Sequence, residues 1–464
     1  MKSQLSCSRS IIINNNSSNS SGRILSTVLN TRPPLPFHFF KRWSFHDFHT
    51  SHWSRTNPSA QIKRTRLGRS CIDKPTIEMI SVSRYGGYEL RESLVTAFRV
   101  YRSVEQSEAR RSTGQAAVRA IRFDDFMFDA EEEQEVAVDF ACLYLNACVL
   151  FNVFPSQEMI TQLLSRFPTT LHSSFHWECV LCALIFCLQP SAEVALGTAL
   201  AFVSMLRGAV PGTVPGSLSH NGKILLLLTI SKAFHLLMHS NINIGDHQQQ
   251  LLDVQLKTIE LLFDAPTTPL SREEVFVLVD AVCWRYAAGG CNTENTTWVT
   301  HVLPKLQVKS HAELDSFNLS QCTRLFCALC VLLAMHHTKL SEQSQRRQWE
   351  ILDPIVRHLD ERVRIHSVSD ILFVLTGLQV NHAARSRYKK LPSALFDYLR
   401  EQKQQQLQEE RENYSYEVSS LMKYETGLEA LQKFLVQLSG TGEDELAEGA
   451  YTVLTDVFST GLNS

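Results

Sequence analysis

A chain of 464 residues with 44% hydrophobic and 20% charged side chains is long enough for two or three globular domains or one extended array, and it can bury a large core. Fifteen prolines, nineteen glycines and little β-branched alternation argue against a strand-rich fold, while long Leu-, Ala-, Val- and Phe-rich segments argue for helix. The longest apolar runs, Val194 to Leu206 and Leu325 to Met335, stop short of the roughly 18 to 20 residues a bilayer needs. Membrane insertion is therefore not expected.

In chain order, the near-neutral net charge of −2 hides an asymmetry. Residues 1–70 hold eleven Lys or Arg and one acid, Asp47, so residues 71–464 carry 34 basic and 46 acidic side chains, a net charge of −12. The leader is rich in Arg and Ser, and Ile11 to Ile13 run straight into Asn14, so it lacks the apolar core of a secretory signal. It reads as a mitochondrial transit peptide, because a basic segment is drawn across a membrane with a negative interior and a carboxylate opposes that movement. The plainer alternative is a disordered basic tail. Without a secretory signal, the twelve cysteines, which sit within apolar helical stretches, read as free buried thiols.

After a loop-like stretch to Gly87, apolar residues Leu90, Leu94, Val95, Phe98 and Val100 set a first helix over Glu89 to Arg102. The acidic run Asp124, Asp125, Asp129 and Glu131 to Glu133 then precedes a long apolar pattern through Phe140, Leu143, Tyr144 and Leu150, a charge placement that suits a helix start.

From there a unit recurs, in which a small polar residue precedes a very hydrophobic helix and a second, more ordinary helix follows across a loop. First helices are expected to begin near Ser174, Asn221, Ser271, Ser320 and Ser367, at steps of 47, 50, 49 and 47 residues. Each opens an apolar face, such as Trp177–Val180–Leu181–Leu184 or Ile371–Leu372–Leu375–Leu378. Partner helices are expected near Glu193 to Arg207, Leu251 to Phe263, Asn295 to Leu306, Gln345 to Leu359 and Pro392 to Arg400. Hairpins of this kind hide their apolar faces only by stacking. The expected fold is all-α, an α-solenoid of helical hairpins with a period of about 48 residues, close to the armadillo and HEAT range. An irregular helical bundle is the competing arrangement. Gly208 to Gly222, Asn241 to Gln250 and Ala265 to Pro269 read as the connecting loops. The organisation is then leader 1–70, helical cap 71–128, hairpins 129–400, and a polar linker with a second cap over 401–464, in which Glu401 to Asn413 is polar and Leu428 to Leu438 and Tyr451 to Phe458 are helical.

Templates for chemistry fail. Cys179 and Cys182 form a C-x-x-C beside Cys187, and Cys322, Cys327 and Cys330 cluster similarly, but both sets fall within helices, whereas zinc sites place paired cysteines on tight turns. The adjacent His336 and His337 point about 100° apart on a helix and make poor joint ligands. No H-E-x-x-H, G-x-x-x-x-G-K-[ST], strand-borne G-x-G-x-x-G or G-x-S-x-G is present. The expectation is a non-enzyme with no cofactor, no metal and no small-molecule substrate.

One polar concentration stands out: Arg346, Arg347, Arg357, Arg362, Arg364, Arg385, Arg387, Lys389 and Lys390, nine basic residues against five acids between 345 and 390. Stacked hairpins align equivalent positions along one surface, so these side chains are candidates for a strip that tracks an RNA backbone. Against this, a charge run is most often a solvated face, and the acidic body repels a polyanion at long range. A second stretch, Arg84 to Arg122, holds eight arginines and four glutamates and reads either as a helix that grips an acidic partner or as simple solubility.

A basic leader followed by degenerate hairpins with Leu-, Ala- and Cys-rich first helices, as in Asn318 to Leu333 (NLSQCTRLFCALCVLL) and Ser367 to Val380, is similar to the octotricopeptide and FAST-kinase-like repeats of mitochondrial RNA-processing proteins. It also resembles helical-repeat subunits of the trypanosomatid mitochondrial RNA-editing substrate-binding complex and of the mitoribosome assembly machinery. The likeness covers about residues 130 to 400 and lies in hydrophobic pattern. It implies a non-catalytic scaffold in a mitochondrial matrix ribonucleoprotein assembly, with other proteins and RNA as partners. The alternative is a protein-only scaffold for mitoribosome or respiratory-complex biogenesis.

Overall fold

The computed structural model describes residues 88–102, 108–126, 134–170, 174–188, 194–208, 213–238, 240, 245–263, 270–288, 297–307, 311–335, 342–361 and 368–391. Among these residues every regular element is helical and none is a strand, so the fold is all-α. The basic leader, the expected helix at Pro392 to Arg400, the polar stretch from Glu401 and the expected cap helices after it lie outside the described residues. The chain divides into two compact units, one ending at Thr267 and the other beginning at Thr268.

The first unit holds α1 (Tyr88–Arg102), α2 (Glu108–Ala120), a 3-10 turn (Phe123–Phe126), α3 (Gln134–Phe151), α4 (Gln157–Thr170), α5 (Ser174–Cys187), α6 (Ala195–Gly208), α7 (Thr213–Ser217), α8 (His220–Met238) and α9 (Gly245–Phe263). The heavily buried helices α3, α5 and α8 pack on one another in succession, and α4, α6 and α9 do the same beside them. α3 and α5 run parallel, since Asp139 meets His176 near their starts and Phe154 stacks on Phe186 near their ends. α5 and α8 also run parallel: Glu178 accepts from Asn221 at the start of α8, and Lys232 donates to the Ile185 carbonyl further along. The sequence separations across these contacts are 37, 43 and 47 residues.

α8 is the one described helix long and apolar enough to cross a bilayer, and every side chain from Ile224 to His235 is buried within the unit. A helix covered on all sides can be apolar all round without a membrane. Lys232 is admitted to this core because its ammonium, on a residue 9% exposed, reaches a carbonyl in the last turn of α5 at 2.9 Å. That carbonyl is one of the four a helix leaves unpaired at its C-terminus, where the macrodipole favours a cation.

α3 stops at a Schellman motif, with Val153 N–H donating to Cys148 O, Asn152 N–H to Val149 O, and Asn152 at φ 54°. Beneath this end α2 comes close: Gln115 donates to the Phe151 carbonyl, and Gly114 lies under the Phe151 ring, where a Cβ has no room.

The second unit holds α10 (Arg272–Ala287), a π turn (Trp298–Val302), α11 (Leu303–Leu306), α12 (His311–Asp315), α13 (Leu319–Met335), α14 (Glu342–Glu361), α15 (Val368–Val380) and α16 (His382–Arg387). Ser271 caps α10 in a capping box, its hydroxyl accepting from Glu274 N–H while the Glu274 carboxylate accepts from Ser271 N–H. The π turn has a local cause: Pro304 brings no N–H to the Thr300 carbonyl, and Leu303 N–H reaches back five residues to Trp298 O.

α13 is the centre of this unit and packs on α10, α14 and α15. Arg272 donates to Gln321 at the starts of α10 and α13, 49 residues apart. α13 and α15 run parallel, with Arg324 over the Phe373 ring and Gly377 against Cys327 and Cys330. Gly377 permits this close approach: a Cβ there would lie 3.2 Å from the Cys327 Cα.

The observed starts of α5, α8, α10, α13 and α15 fall within one residue of those expected near Ser174, Asn221, Ser271, Ser320 and Ser367. The expected loops differ more. Gly208 to Gly222 contains α7, and the polar stretch Asn241 to Gln250 already belongs to α9 from Gly245, since a polar first turn leaves its N–H groups to solvent.

Candidate nucleic-acid interface

The nine basic residues fall in the second unit, on α14, on the segment after it, and around α16. Arg346 and Arg347 lie in the second turn of α14, but their side chains, like Arg362 and Arg364 altogether, lie outside the described residues. Arg357, Arg387, Lys389 and Lys390 are exposed and Arg385 is half-buried.

α16 is placed by Asn381, whose side chain accepts from Ala384 N–H as the N-cap. This short helix brings Arg387 and Tyr388 onto α14. Arg387 binds Asp353 in a two-pronged pair, Nε to Oδ1 at 3.0 Å and a terminal nitrogen to Oδ2 at 2.7 Å. The Tyr388 hydroxyl donates to the same Oδ1 at 2.6 Å. The Arg387 guanidinium lies 4.9 Å from the Trp349 ring centroid, and the Trp349 and Tyr388 rings meet edge to face.

Burial pushes the Asp353 carboxyl up, but the hydrogen bonds from Arg387 and Tyr388 and the charges of Arg387 and Arg357 outweigh it, so the carboxyl titrates below its usual range. The same hydrogen bond raises Arg387 further, and burial followed by the Asp353 carboxylate raises the Tyr388 phenol. By sequence alone Arg387 counts as one more open cation. In the folded unit its charge is matched by Asp353, and of the nine strip residues Arg357, Lys389 and Lys390 are exposed with no hydrogen bond to a carboxylate shown among the described residues.

Trp349, Asp353 and Tyr388 are members of this cluster that sequence reasoning missed. A signal for them existed: Trp349, Asp353 and Arg357 recur every fourth residue and share one face of α14.

The cysteine clusters take the positions of core side chains. Cys179, Cys182, Cys187, Cys322, Cys327 and Cys330 are all buried, as are Cys142, Cys148 and Cys283. Burial pushes the Cys148 thiol up to about 12 and raises Cys179, Cys187 and Cys330; contact with Cys179 and then burial raise Cys142. Metal binding and nucleophilic attack both use the thiolate, which such surroundings disfavour. Among the described residues no group of three or more His, Cys, Asp and Glu is placed to hold a metal ion. His336 and His337 lie outside the described residues.

The second arginine stretch falls on α1, α2 and the turn after it, where Arg99, Arg110, Arg111, Arg119 and Arg122 are exposed, while Arg84 lies outside the described residues. Glu89 and Glu92 are exposed on α1 as well, so the charge is mixed there. Searches of family models, curated proteins and solved structures find no match to this chain.

Proposed function

We infer that this chain is a non-catalytic scaffold subunit of a mitochondrial matrix assembly that processes or edits RNA, built as an α-solenoid of hairpins with a period of about 48 residues. The observation that carries the reading is the stacking of successive apolar helices within each unit. Contacts between neighbours are separated by 43 and 47 residues in the first unit and 49 in the second, with a shorter step of 37 at α3 to α5. Stacked hairpins spend their apolar faces on one another and keep long outer faces for partners. The address rests on the acid-poor leader, with eleven basic residues and one acid in residues 1–70. RNA contact rests on the exposed Arg357, Lys389 and Lys390, with the half-buried Trp349 and Tyr388 rings beside Arg387.

A protein-only scaffold is the second reading, favoured by the Asp353–Arg387 pair, which removes one cation from the strip, and by the net charge of −12 beyond the leader. Affinity purification of the tagged chain from isolated mitochondria, with and without ribonuclease, separates the two. The RNA reading expects RNA-processing proteins in the eluate and their partial release by ribonuclease. An assembly that survives ribonuclease unchanged supports the protein-only scaffold, and recovery of the chain outside mitochondria removes both.

A further inference from the structure

Arg387 is held in an unusual way for a surface cation. One edge of its guanidinium is fixed by both Asp353 oxygens, and the Trp349 and Tyr388 rings lie against it, with centroids at 4.9 and 5.9 Å. The side chain nevertheless stays 44% exposed. The Trp349 and Tyr388 ring centroids lie only 6.1 Å apart, so both rings sit to one side of the guanidinium and its exposed part lies away from them. Because Asp353 matches the charge, this plane is a weak electrostatic attractant for phosphate but still a planar π surface. Real cations flank it: Lys389 and Lys390 follow directly, and Arg357 lies one turn of α14 beyond Asp353.

We propose that Arg387 is a stacking plate for an unpaired base of single-stranded RNA, which extends the Trp349–Arg387 stack by one member, while Lys389, Lys390 and Arg357 hold the adjoining phosphates. This rests on the RNA reading above and narrows it to unpaired RNA. Bases in a single strand are free to splay onto aromatic or guanidinium planes, whereas the bases of a duplex are closed within their own stack and leave only phosphates and groove edges. Asp353 and Trp349 act as positioning residues, keeping the plate flat and facing outward. The two kinds of interaction respond differently to salt, since a lysine that neutralises a phosphate releases counterions and a stacked base does not.

The test is fluorescence anisotropy of a labelled oligouridine titrated with the 464-residue chain over a salt series, with a thermal melt of every variant. Arg387→Ala is expected to weaken binding about five- to 150-fold, the range for loss of one stacked base, with the salt slope unchanged. Replacing Lys389 and Lys390 with alanine is expected to lower the slope by about 0.7 for each phosphate that is no longer neutralised. Arg387→Gln keeps a planar end without charge and Arg387→Lys keeps charge without a plane, so stacking ranks Gln above Lys. Both lack the two-pronged pair, so this order holds even where each is less stable than the parent. Lys ranking above Gln, wild-type affinity in Arg387→Ala, or equal competition by a duplex of the same length overturns the plate and leaves the RNA reading standing. Failure of the unsubstituted chain to bind either probe removes the reading beneath it as well.

Discussion

Substitution of Gly377 probes the stacking of neighbouring helices where it is tightest. A Cβ at this position meets Cys327 Cα at 3.2 Å, Phe326 Cε1 at 3.3 Å and Cys330 Cβ at 3.4 Å, so α15 lies on the α13 backbone with almost no gap. Gly377→Ala gains about 1 kcal/mol in helix propensity and gives back a similar amount through the forced shift, a net effect near zero. Gly377→Val adds two further carbons at the same point while recovering only about 0.4 kcal/mol of propensity, so overpacking of about 1–3 kcal/mol dominates. For a unit of this size that lowers the melting temperature by roughly 3–9 °C, at about 3 °C per kcal/mol. Far-UV circular dichroism melts of the three chains measure the order, with glycine and alanine close together and valine below both. Gly216→Ala in α7, where a Cβ meets nothing within 4 Å, serves as the control and is expected to be neutral or slightly stabilising. Valine at 377 as stable as alanine would mean that α13 and α15 do not approach there, and the case for stacking in this unit would fall.

Three further expectations concern single sites. Asn152→Val, at φ 54° in the C-terminal cap of α3, is expected to cost about 1–2 kcal/mol because a β-branched side chain resists the left-handed region, and Asn152→Gly to be neutral or better; urea midpoints decide. The Asp353 carboxyl is held low in the folded chain, so its contribution is fully present above its unfolded value of about 3.9 and is lost as pH falls through the lower folded value. The melting-temperature gap between the parent and Asp353→Asn should therefore narrow only below about pH 4, and a gap that closes near neutrality would speak against the pair. With its thiol pushed up to about 12, Cys148 should alkylate far more slowly in the folded chain than in urea, having roughly a thousandfold less thiolate at neutral pH. Peptide mapping after a short iodoacetamide pulse tests this, and equal labelling in both states would refute the burial.

Where helices begin is readable because the signals are local. Ser271 with Glu274 is a capping box within four residues, and the apolar faces of α5, α8, α10, α13 and α15 each follow a polar start. α2 is legible only as part of an arginine-rich helical stretch, without bounds, because EARRSTGQAAVRA carries few large apolar side chains, and α4 escapes notice because Gln157–Thr170 lies between two much more apolar helices. α2 is held instead by tertiary packing, Gly114 and Gln115 fitting under the end of α3. The basic strip is legible as composition but not as chemistry. Arg387 reads like any other surface arginine until the chain brings it to Asp353, 34 residues earlier, and no local pattern announces that pairing. The Trp349–Asp353–Arg357 stripe is visible in the four-residue spacing, yet its meaning depends on α16 arriving beside it.

The functional reading stands or falls on whether outer faces of stacked hairpins, and the α14–α16 face above all, touch RNA inside mitochondria. Ultraviolet crosslinking in intact organelles, followed by mass spectrometry of nucleotide-modified peptides from the purified chain, measures this at the residue level. Adducts are expected on peptides that contain Trp349, Tyr388, Lys389 or Lys390, and should disappear in Arg387→Ala. No adducts on a chain recovered intact from the organelle would rule it out, and adducts confined to peptides of α1 to α9 would move the contact away from the α14–α16 face.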